Sequence, residues 1–98
     1  MGNSLKSARF LIESRLQDAA RGDAQACYDL GIVYSSGSDG IDVDLIEAHK
    51  WFNIAAMSGS DHAQECRAEI AEDMSAREII EAQKAARAWI SATSRRAA

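Results

Sequence analysis

A short pattern occurs twice in this chain. Ala19-Ala20, Gly22 and Ala26 return as Ala55-Ala56, Gly59 and Ala63, with the glycines and the later alanines thirty-seven residues apart and the alanine pairs thirty-six. A period in this range marks helix pairs that stack on one another, because a single pair cannot bury its apolar face alone. The helix-loop-helix pattern between the two copies strengthens a signal that two copies in an alanine-rich chain would otherwise leave weak.

Apolar spacing predicts five helices. The first runs from about Ser4 to Ala20, with Phe10, Ile12, Leu16 and Ala19/Ala20 as its stripe, and stops at Gly22. Asp23 caps a second, which carries Ala26, Leu30 and Tyr34 at successive turns. Ser35-Ser36-Gly37-Ser38-Asp39-Gly40 forms the clearest loop. Asp44 caps a third helix bearing Ala48, Trp51/Phe52 and Ala55/Ala56. Ser58-Gly59-Ser60 breaks it, and a fourth starts at Asp61 with Ala63, Cys66 and Ile70 on one face, ending near Met74. Ser75 and Glu78 are spaced as a capping box that opens a fifth helix with Ile79, Ala82, Ala86 and Trp89. The tail 93–98 is expected to fray.

The 98 residues suit one compact domain. Aromatic residues make up only 6% and proline is absent, which favours close-packed helices over a β-sandwich. Eleven basic residues against fifteen acidic ones give a net charge of -4, so a role in tracking nucleic-acid phosphates is not expected. The early charges Arg9, Glu13 and Arg15 leave no room for a signal-peptide core, and no apolar run is long enough to cross a membrane. A cytoplasmic protein without a membrane partner is expected, with Cys27 and Cys66 as reduced thiols.

The run from Ala19 through Gly22-Asp23-Ala24-Gln25-Ala26, Leu30-Gly31 and Tyr34 resembles the first half of a Sel1-like repeat. Gly37, Gly40-Ile41, Asp44, Glu47-Ala48, Lys50-Trp51-Phe52, Ala55-Ala56 and Gly59 resemble its second half. Met74-Ser75-Ala76, Ile79, Glu81-Ala82-Gln83, Ala86 and Trp89 are similar to the helical ending that follows the last repeat of many short bacterial Sel1-like proteins. The loop from Ser35 to Val43 is one residue longer than usual and lacks the proline often found there. Tetratricopeptide repeats are the nearest alternative, but the longer glycine-bearing loop and the wider period favour the Sel1-like reading.

The resemblance implies an all-α, short right-handed solenoid of antiparallel helix pairs. Residues 1–92 would form the domain, with 4–20 as an N-terminal helix, 23–59 as the repeat and 61–92 as a C-terminal helix pair. It also implies a non-catalytic interaction or adaptor module without a cofactor. Helix geometry reaches part of this independently. Leu30 beside Gly31 sets a large knob next to a position without a side chain, which lets another helix come close.

Several constellations invite chemistry and fall short of it. His62 and Cys66 are four apart on one helix, yet Cys27 and His49 would have to join them from two others, without any paired-ligand element to anchor a metal. His49 is expected to be partly packed or solvated. Aligning Gly40 with the sixth position of a calcium loop puts Gly37 and Ile46 where carboxylates are needed, so Asp39, Asp42, Asp44 and Glu47 read as a solvated loop with a helix cap. Asp61, Glu65, Glu69, Glu72 and Asp73 make the fourth helix acidic, as a solvated outer face would be. No nucleophile with a local base and no phosphate loop is present, so no enzymatic activity is expected.

With Leu30, Gly31 and Tyr34 turned inward, Gln25, Tyr28, Ile32 and Ser35 share another helix face. In stacked helix pairs that face lines the concave surface, and these four are the expected contacts for a partner protein or peptide. Packing of Tyr28 and Ile32 against the first helix is an equal alternative. A second function of a different class is self-association, as a homodimer through the first helix. Phe10, Leu11, Ile12 and Leu16 offer more apolar surface there than one neighbour would cover.

Overall fold

The computed structural model describes residues 4–97; residues 1–3 and 98, which belong to the expected domain and tail, lie outside them. Five α-helices follow one another: α1 (Ser4–Ala20), α2 (Ala24–Ser36), α3 (Leu45–Met57), α4 (Asp61–Ala71) and α5 (Ala76–Ala97). A single 3-10 turn at Ser38–Gly40 interrupts the loop before α3, and no strand occurs among the described residues.

The starts are set by side chains that satisfy free backbone N–H groups. Asp23 accepts from the amides of Gln25 at 2.9 Å and Ala26 at 3.4 Å, and Asp44 accepts from that of Glu47 at 3.1 Å. Ser60 does the same for α4, accepting from Ala63 at 3.2 Å. At α5 the capping box closes in both directions, Ser75 N–H to Glu78 at 2.8 Å and Glu78 N–H to the Ser75 hydroxyl at 3.1 Å.

The repeated pattern proves to be a repeated joint. At the end of α1, Gly22 N–H donates to Ala19 at 2.9 Å and Asp23 N–H reaches back to Asp18 at 3.1 Å; at the end of α3, Gly59 N–H donates to Ala56 at 3.1 Å and Ser60 N–H to Ala55 at 3.0 Å. Gly22 and Gly59 take φ of 91° and 108°, left-handed values that glycine adopts without strain. These bonds match at one offset of thirty-seven throughout, so Ala19 corresponds to Ala56 rather than Ala55. Ala26 and Ala63, one turn beyond each joint, are both buried.

Helix α3 is the centre of the molecule, packed against α2, α4 and α5, while α1 lies on α2. Leu30, Trp51, Phe52 and Cys27 are the largest fully buried side chains. Ala48, Ala55, Ala63, Ala82 and Ala86 have no exposed surface. Small residues at these points let backbones approach closely around the aromatic rings. Trp51 meets Trp89 of α5 edge-on, with ring centres 4.8 Å apart.

Two expectations change. Phe10, placed in the buried stripe of α1, is 74% exposed. At 100° per residue it lies opposite Ala8, which is buried, and Ile12 and Ala19, which pack in the core. The tail expected to fray from Thr93 continues as helix to Ala97, and the Thr93 hydroxyl donates to the carbonyl of Trp89 at 2.9 Å.

Candidate functional site

The four expected contact residues of α2 do not form one patch. Gln25 leans toward α1, where its amide donates to Asp29 at 2.9 Å, and Asp29 in turn receives the Arg15 guanidinium at 3.0 Å. Tyr28 leans the other way. Its ring stands 5.8 Å from that of Phe52 and 5.4 Å from that of His62, so α3 and α4 contact it, a third outcome beside open exposure and cover by α1. Burial and the neighbouring Cys66 thiol push its phenol pKa up. Ile32 is an apolar side chain left 38% exposed, while Ser35 donates to the carbonyl of Ile32 at 3.2 Å.

The residues weighed for metal binding lie apart. His62 is exposed and pairs with Glu65 at 3.6 Å, whereas Cys27 is buried in the core, where burial and then the Asp23 carboxylate push its thiol up to about 11. Among the described residues no three of His, Cys, Asp and Glu gather as a metal site would need. His49, expected to be partly packed or solvated, is instead fully buried at 3% exposure, with Nδ1 unpartnered. Its pKa is lowered, first by burial and then by the Arg67 guanidinium of α4. Arg67 itself donates to Asn53, one turn beyond His49 on α3. The acidic run does lie outward, with Asp61, Glu65 and Glu69 exposed on α4, which ends at Ala71 and not near Met74, and Glu72 and Asp73 exposed in the turn after it.

A second feature was not legible in the chain. The ends of α1, α3 and α5 leave an open cleft of about 540 Å³. Ala19, Ala20, Ile54, Trp89 and Ile90 give it an apolar wall, and the hydroxyl residues Ser58, Thr93 and Ser94 border it. Among the described residues Arg21 is the one charged member of its lining, with a side chain 79% exposed and the Asp18 carboxylate at 4.0 Å. The contributing segments are more than thirty residues apart in sequence, so no local pattern announces them.

Together these features define a class: an all-helical protein, with five α-helices among the described residues. No helix among them is long and apolar enough to cross a membrane. No protein family, curated protein or solved structure matches the chain.

Proposed function

We propose that this chain is a non-catalytic interaction module of the Sel1-like kind. In this reading α1 acts as an incoming half-repeat, α2 and α3 as a full repeat, and α4 and α5 as the closing pair of a short right-handed array. The observation that carries it is the recurrence of one glycine joint, bond for bond, at the ends of α1 and α3. A repeated joint supports a repeated unit, and stacked units serve mainly as binding surfaces.

The partner is a protein or peptide that places an apolar side chain on Ile32. Tyr28 would support that contact from the side of α3 and α4, with Ser35 as its polar neighbour and Gln25 reaching the partner from the side of α1. The exposed carboxylates of α4, on the side toward which Tyr28 leans, favour basic residues beside that anchor. Tyr28 also packs on Phe52, so its removal would disturb the core, and Ile32→Glu combined with Gln25→Ala is the cleaner variant. In a pull-down from source cells, the double variant should lose the proteins captured by the parent while keeping its helical circular dichroism. Unchanged capture would reject the α2 face.

A second reading is self-association through α1, favoured by Phe10 at 74% and Leu11 at 38% exposure, two large apolar side chains on the uncovered side of that helix.

A further inference from the structure

Phe10 and the terminal cleft are a knob and a hole on the same chain. Phe10 projects from α1 on the side opposite its buried residues, while the cleft begins at Ala19 and Ala20 of that same helix. Ten residues of helix separate Phe10 from Ala20, about 15 Å at the α-helical rise, and a rigid helix cannot fold back on its own end. Within one chain the two never meet. Between two chains they can.

We infer that a second copy of this chain occupies the cleft, with Phe10 of the incoming copy seated against Ala20, Ile54 and Ile90. This rests on the reading that the chain self-associates through α1, and it names the surface that α1 meets. Size and charge both fit. A cavity of about 150 Å³ suffices for a benzene ring, and the cleft offers about 540 Å³. Glu13, one turn from Phe10, is exposed and makes no ion pair among the described residues. Docking Phe10 brings the Glu13 carboxylate toward Arg21 in the cleft lining, whose side chain is 79% exposed and whose pair with Asp18 is long, at 4.0 Å. The contact is head-to-tail, so a pair of copies keeps one free cleft and one free knob, and assembly can continue past two chains.

Sedimentation equilibrium on the purified full chain, from micromolar to sub-millimolar, tests this with two single variants. Phe10→Ser removes the knob, and Ser94→Glu puts a charge at an exposed position of the cleft border. Circular dichroism checks that both remain helical. The parent mass should climb with concentration beyond that of two chains, each variant alone should stay at one chain, and an equal mixture should give a two-chain species that grows no further. Should Ser94→Glu fail to fold, Arg21→Glu replaces it: association should weaken several-fold, and adding Glu13→Arg should restore it. If the cleft variants associate as strongly as the parent while Phe10→Ser does not, α1 pairs with α1. The cleft assignment is then overturned, though self-association stands. A parent that stays at one chain throughout overturns both.

Discussion

The Phe52 ring occupies the space in which a side chain on Gly31 would begin. A Cβ built on Gly31 would lie 2.5 Å from Cδ1 of that ring and 2.9 Å from Cγ. Helices α2 and α3 therefore meet backbone to ring, and the first methyl group at position 31 has nowhere to go. Gly31→Ala gains about 1 kcal/mol in helix propensity but overpacks the core at a cost of about 1–3 kcal/mol. The expected result is a net loss of stability, read as a lower urea midpoint. Adding Phe52→Leu, which frees the space that the ring holds, should recover part of it. A Gly31→Ala protein more stable than the parent would contradict the close approach.

His49 should make the fold acid-sensitive. Its pKa is lowered from 6.5 in the folded chain, so the imidazole there stays neutral where the unfolded chain has begun to take up a proton. Below about pH 6.5 the unfolded state binds more protons, and stability falls as pH falls. Arg67 adds to the effect, because a charged His49 would sit in a buried space near a second cation. The urea midpoint of the parent should drop between pH 7 and pH 5, and that of His49→Leu should drop less. Parallel pH profiles for the two proteins would show that His49 titrates as it does in water.

The two cysteines should separate in reactivity. Cys27 is 1% exposed and its thiol is pushed up to about 11, so at neutral pH it offers neither access nor thiolate. Cys66 is only partly covered, beside Tyr28. Labelling with a thiol-specific reagent at pH 7.5 should modify one site quickly and a second only on the timescale of unfolding, with Cys66→Ser removing the fast phase. Equal rates for both would mean that α2 does not hold Cys27 in the core.

The sequence by itself determined the helices and their joints. Asp23, Asp44 and the Ser75–Glu78 box act within a few residues of themselves, and Gly22 and Gly59 answer a local need for left-handed backbone. The inward stripes of α2 and α3 were legible for the same reason, since helical period alone decides which side chains share a face. Tertiary structure decided what each face meets. Phe10 reads as apolar and therefore inward, yet α1 has one covered side, and Phe10 lies on the other. Tyr28 and Gln25 share a face by angle but are drawn apart, one toward Phe52 and His62, the other toward Asp29 and Arg15. The burial of His49 and the cleft between Ala20, Ile54 and Trp89 depend on helices brought together from distant parts of the chain. A local period records which way a side chain points, but only packing supplies what stands in front of it.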